Sequence, residues 1–183
     1  RFDVAAGETV GMRVTFSQEA GAVIINAVQE KRNPQGQANK VDLTITVPRT
    51  IDLVVTNNVG KVEARDLRTP EQLEITANVG DIVLQGIEAG ARATVTGNVG
   101  DVTFEGGLSD GGEFKTDVGE LNVRLAGDTA AQVDARTGVG SIAVRGLDTS
   151  GSSLKRNVPG ASLTATLGSG GPETTEKLAP CVA

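Results

Sequence analysis

Apolar and polar residues alternate with a period of two over most of this chain, in short runs that return at regular distances. One set of runs reads Leu53 and Val55, Leu73 and Ile75, Ala93 and Val95, Val133 and Ala135. A second set reads Val62 and Ala64, Ile82 and Leu84, Val102 and Phe104, Leu121 and Val123, Ile142 and Val144. Polar side chains such as Glu63, Arg65, Glu74, Glu105, Arg124 and Asp134 fill the places between. Such alternation puts one face of a strand in a core and the other in water. The i, i+3, i+4 spacing of an amphipathic helix is not sustained over any comparable length, which predicts an all-β chain.

The runs are punctuated by Val-Gly, at Val59-Gly60, Val79-Gly80, Val99-Gly100, Val118-Gly119 and Val139-Gly140. With glycines at 60, 80, 100, 119 and 140, the steps are 20, 20, 19 and 21 residues. Three corners read Asn-Val-Gly, and the fourth has Asp in place of Asn. Asn and Asp tolerate left-handed backbone, and glycine takes positive φ with no Cβ in the way. Asn58, Gly60, Asn78, Gly80, Asn98, Gly100, Asp117, Gly119 and Gly140 are therefore read as structural repeat corners. The second corner is more variable, as in Arg65 to Pro70. A unit of about 20 residues with two short strands and two corners is one coil of a β-solenoid. A lone coil buries too little to offset the entropy of ordering itself, so coils must stack. Stacking shares parallel ladders about 4.8 Å apart and one continuous aliphatic core.

The whole chain is expected to form a single solenoid domain. Residues 1–40 would be capping strands and an irregular coil, 41–169 the regular coils, and 170–183 a C-terminal cap or tail. Val10, Met12, Val14 and Phe16 alternate and predict a strand over 8–16. Gly21 to Ile25 resembles Gly80 to Leu84, and 30–40 would then be a long corner loop. Ala161, Leu163, Leu167 and Gly168 match the second half of a repeat, with an insertion around Thr149 to Arg156.

Composition narrows the chemistry. The 183 residues include 24 Gly and four Phe but no His, Trp or Tyr, which excludes His-based triads and imidazole metal sites. A net charge of −6 leaves no excess of cations to neutralise phosphates, so no nucleic-acid partner is expected. The one cysteine, Cys181, has no partner for an internal disulfide or a structural zinc site and reads as incidental. No apolar run is long enough for a membrane helix. The chain opens on Arg1 and not Met, so it reads as a processed or trimmed piece, with any signal peptide or membrane anchor lost from view.

The most tempting site is the column after each corner glycine: Lys61, Asp81, Asp101, Glu120 and Ser141. In register, Asp81, Asp101 and Glu120 would stand one rung apart, and such oxygens suit a hard cation such as Ca²⁺. A solvated acidic edge is the simpler reading and is preferred, so no metal or other cofactor is assigned. The same acids suggest the paired carboxylates of a polysaccharide lyase or glycosidase. Without Trp or Tyr to stack on a sugar, and without room for long cleft loops, no catalytic residue is assigned. Thr56, Thr76 and Thr96 align on the outward face, but Lys115 and Arg136 interrupt the ladder, and Thr is favoured on exposed strands anyway. Gly138 to Ala143 fits Gly-x-Gly-x-x-Ala only formally, because strand alternation and no helix follows.

The Val47-Pro48 before an alternating strand, followed by repeated Thr-x-x-x-Gly-Asp/Glu-x-x-x-x-Gly/Leu units, resembles the DUF4097 family of bacterial cell-envelope proteins, which carries an adhesin label. The resemblance covers roughly residues 41–171. It implies a right-handed parallel β-helix-like array, exported or held outside the membrane through a preceding segment, and it supplies no catalytic residues. The expected function is a non-catalytic, extracytoplasmic surface domain whose rigid faces meet a protein partner or another copy of itself. A polysaccharide-acting β-helix enzyme and an end-to-end polymerising scaffold are the alternatives.

Overall fold

The computed structural model describes residues 3–19, 22–29, 40–126, 131–147, 153–156, 160–166 and 174–178. Every regular element among them is a strand. No helix of the described residues is long and apolar enough to cross a membrane. The chain divides into two compact units, Arg1–Pro48 and Arg49–Ala183.

The first unit holds β1 (Asp3–Val10), β2 (Met12–Glu19), β3 (Ala22–Gln29) and β4 (Lys40–Thr46). These pair antiparallel, β1 with β4 and β2 with β3. The alternation at 8–16 predicts one strand, but Gly11 at φ +63° breaks it into β1 and β2. The coil-like segment at 22–25 lies in a hairpin, because two intervening residues cannot make the crossover that a parallel neighbour needs. The regular coils therefore do not begin at residue 41. Val41, Leu43 and Ile45 alternate as a coil strand would, yet alternation does not specify a partner, and β4 finds β1. Pro48, with no N–H to donate, follows before the first regular coil. The corner loop expected at 30–40 falls outside the described residues, Lys40 excepted.

The second unit is a parallel β-solenoid of about 4 turns, about 20 residues apart. One sheet stacks β5 (Leu53–Val59), β8 (Leu73–Val79), β10 (Ala93–Val99), β12 (Gly112–Val118) and β14 (Gln132–Val139), all parallel. The other stacks β6 (Val62–Arg65), β9 (Ile82–Ala89), β11 (Val102–Leu108), β13 (Leu121–Leu125) and β15 (Ile142–Leu147). A two-residue β7 (Arg68–Thr69) also joins β9. The second strand of a coil is bent near the corner that varies most in the sequence. Asp66 turns at φ +54° and Gly86, the extra residue in the ladder, at +64°. β11 lacks that extra residue, since Gly106 lies opposite Ile87, and this accounts for the 19-residue step.

Inward columns are aliphatic and run through every coil. Leu73, Ile75, Ile82, Leu84, Val95, Val102, Leu121, Val123, Val133 and Val144 are buried, while Leu53, Val55, Val62 and Ala64 at the first coil are half-buried. Phe104 and Phe114 meet across the core with ring centroids 5.0 Å apart. Room for Phe114 comes from Gly112, where a Cβ would stand 2.6 Å from the ring. Large and small residues compensate between neighbouring inward positions of one strand, as close packing requires.

Parallel pairing stops after β14 and β15. β16 (Ser153–Arg156) and β17 (Ala161–Thr166) extend the first sheet antiparallel, and β18 (Thr174–Leu178) pairs antiparallel with β15. Residues 161–166, expected as a regular coil, reverse direction instead. Of the span 170–183, read as a cap or tail, residues 174–178 form β18, and Cys181 lies outside the described residues.

The corner glycines hold the stack together. Gly80, Gly100, Gly119 and Gly140 have φ between +130° and +148°, and a Cβ on any of them would overlap the carbonyl oxygen of the corner glycine one coil earlier. Gly60 has φ +123° but only Asn57 Nδ2, at 3.8 Å, near its missing Cβ. Gly60→Ala is expected to cost only the backbone strain of about 1–3 kcal/mol. Gly100→Ala adds a backbone collision and is expected to cost at least about 2 kcal/mol more. Urea unfolding of both variants checks this; equal losses would show that close stacking is not what selects glycine.

Candidate interaction surface

Each corner is built from a backbone bond that leaves one side chain outside. The N–H groups of Gly60, Gly80, Gly100 and Gly119 donate to the carbonyls of Val79, Val99, Val118 and Val139 at 2.8–2.9 Å. Strand parity points residue 57 inward and 58 outward, and would return Val59 to the core. The chain is already leaving the sheet at that point, so the valine lies past the edge of the core. Val79, Val99, Val118 and Val139 are 45–49% exposed, and Val59, whose strand has a single neighbour, is 76% exposed. The five are in register along the stack. They form a straight, rigid apolar stripe.

Columns of known register flank it. On the side of the first sheet, Asn98 Nδ2 donates to Asn78 Oδ1 at 2.9 Å and Asn78 Nδ2 to Asn58 Oδ1 at 2.8 Å. Asp117 ends this amide ladder and instead pairs with Lys115 at 3.0 Å. On the side of the second sheet stand Lys61, Asp81, Asp101, Glu120 and Ser141, in the expected register. Asp81 Oδ1 accepts the Asp101 N–H at 3.1 Å, and Asp101 Oδ1 accepts the Glu120 N–H at 2.8 Å. The carboxylates thus brace the corner of the next coil. Among the described residues, no group of three or more His, Cys, Asp or Glu side chains gathers where it could hold a metal ion.

Two features escape a reading of the sequence. Thr116 and Thr137 occupy inward positions, buried, and their hydroxyls donate to the carbonyls of Gly100 and Gly119 at 3.0 and 3.1 Å. The valine stripe is the other: its signal is the repetition of Val before Gly, but parity assigns those valines to the core. The Thr56, Thr76 and Thr96 ladder is in register and gives way to Lys115 and Arg136 as expected. Gly138 to Ala143 leads into β15, a strand, so the dinucleotide-like spacing there is accidental. The outer face of the second sheet carries a shallow depression of about 240 Å³ lined by Gln85, Thr103, Glu105, Asn122, Arg124 and Arg145, among others.

Ion pairs on the outer faces lie both within a coil and between coils. Glu63 accepts from Lys61 at 2.7 Å and from Arg65 Nε at 2.6 Å, and Glu88 accepts from Arg68 Nε at 2.8 Å. The hydrogen bond from Lys61, then that from Arg65, holds the Glu63 carboxyl below the usual glutamate range. Arg68 does the same for Glu88.

Against models of protein families, residues 7–144 match the one described as Toastrack DUF4097. The chain belongs to the Toastrack family. The match begins within β1 and ends in β15, so this Toastrack chain carries the family pattern across strands upstream of the coils as well as the coils themselves. Comparisons with curated proteins and with solved structures give no match.

Two outcomes follow from the side chains beside the stripe. Asp101→Ala is expected to lower stability by about 1 kcal/mol, whereas Asp101→Asn, which keeps an acceptor, should be nearly neutral. Thermal or urea denaturation distinguishes them, and a loss in Asn equal to that in Ala would mean that charge, not acceptance, matters. The Glu63 carboxyl is expected to titrate below the usual glutamate range by NMR, and Lys61→Ala should move it upward. Because its folded value is lowered, its stabilising contribution is present above the unfolded glutamate value and is lost as pH falls through the folded one.

Proposed function

We propose that this Toastrack solenoid is a non-catalytic scaffold that presents its corner stripe to a protein partner on the outer side of the cytoplasmic membrane. The observation that carries the reading is the row of five exposed valines, Val59, Val79, Val99, Val118 and Val139, repeated on successive coils. Contiguous exposed apolar surface rimmed by polar groups marks interaction sites. β-branched side chains on a hydrogen-bonded ladder lose little further freedom when covered, which favours binding. Parallel sheets give the face its stiffness. The envelope placement follows from the resemblance to cell-envelope proteins, and adhesion is the form of partner contact that the family label suggests.

In intact cells, a photo-crosslinking residue at position 99 is expected to give protein adducts, and one at Thr103, on the second sheet's outer face, far fewer. Equal yields at the two positions would sink the reading. A membrane-impermeant maleimide should label Glu105→Cys, on the exposed outer face of the second sheet and made in a Cys181→Ser background, before lysis; labelling only after lysis would overturn the placement.

A further inference from the structure

We infer that the partner of the valine stripe is a second copy of this chain, with the two solenoids side by side and their stacks running in the same direction. This rests on the interaction role proposed above and names its occupant. The first ground is spacing. The valines repeat once per rung, about 4.8 Å, while a strand laid along the stripe offers same-face side chains about every 6.8 Å. A helix offers them about every 5–5.5 Å, a mismatch that accumulates over five rungs. Only another stack repeats its apolar groups at the same interval, and this chain supplies one.

The second ground is the pattern of the flanks. A two-fold axis parallel to the stack brings the first-sheet flank of one copy against the second-sheet flank of the other, rung for rung. Asn78 then faces the second copy's Asp81, and Asn98 its Asp101. Each amide nitrogen that binds one neighbour in its own ladder has a second hydrogen, and each aspartate that accepts a backbone N–H through Oδ1 has Oδ2 to spare. Asn58 meets Lys61, and the one like-charged rung is Asp117 against Glu120. A two-fold axis across the stack instead sets acid on acid at three rungs, Asp81 with Glu120 twice and Asp101 with itself. Like charges so placed disfavour that arrangement.

The third ground is area. The stripe exposes on the order of 400 Å² of apolar surface, the size of the largest patch on a typical monomer, which is often functional. With both flanking columns covered, the contact approaches the roughly 800 Å² per partner of a standard interface.

The experiment uses the full chain in a Cys181→Ser background. Sedimentation over a concentration series is expected to show a reversible dimer. Val59→Cys alone, and Val139→Cys alone, should each form cross-linked dimers, because same-direction stacking puts each residue opposite its own copy. Cross-linking only in a mixture of the two variants would mean opposed stacks and would overturn the arrangement. The triple change Val79→Lys, Val99→Lys and Val118→Lys should weaken the dimer at least about tenfold with its melting curve retained. Asp117→Asn, a milder change, should tighten it about threefold by relieving the Glu120 rung. A monomer at every concentration overturns the inference; position-99 adducts to a different protein would then leave the interaction role standing, and their absence would remove both.

Discussion

The approach of one corner glycine to the next is the constraint from which the rest of the solenoid follows. Backbone at each corner passes so close to the coil before it that the carbonyl oxygen of one glycine occupies the place of the next one's Cβ. That contact sets where the coil turns, and the turn sets the register of both sheets, because Val62, Ile82, Val102, Leu121 and Ile142 all start two residues later. Register in turn decides which side chains share a column, so that Leu73 covers Ala93 and Phe114 lies against Ala135. A looser corner would free each coil to slide by a residue, and a slide by one residue exchanges the two faces of a strand.

The polar groups around the corners serve the same constraint. Orphaned backbone groups at a sharp turn need partners, and this chain supplies them from whichever side has room. Asp81 and Asp101 accept from outside, while Thr116 and Thr137 donate from within. The same inward position is Ala77 and Gly97 in two earlier coils, so the corners at Gly100 and Gly119 are held from both sides, by an aspartate outside and a threonine within. Valine is what remains at the corner once these needs are met: it satisfies no polar group and covers little core, yet it stands on every coil.

Much of this was legible in the residues. Period-two alternation separates inward from outward correctly at Leu73 to Ile75 and Ile82 to Leu84, since that periodicity is a direct image of the pleat. The corner glycines announce themselves because no other residue fits. Pairing direction is less visible. Lys40–Thr46 and Ala161–Thr166 alternate like coil strands and lie antiparallel, because the partner of a strand depends on the length and path of its connection and not on its own pattern. The surface was hidden for a related reason. Parity sends Val99 inward, and only the departure of the chain at Gly100 turns it out. The acidic column was found, but its residues face backbone donors that no sequence motif displays.

The antiparallel strands at the C-terminal end separate two kinds of position in this protein. Within the stack every coil meets its neighbours through the same corner, so interior coils are interchangeable parts whose energies add nearest neighbour by nearest neighbour. β16, β17 and β18 are not interchangeable, because a reversed strand cannot serve as template for another parallel coil. Length is thereby a free variable with a fixed terminus. Gain or loss of one 20-residue unit from the middle would move the finishing strands by a single rung and leave their contacts intact, so a protein of this design can change reach without redesigning how it stops.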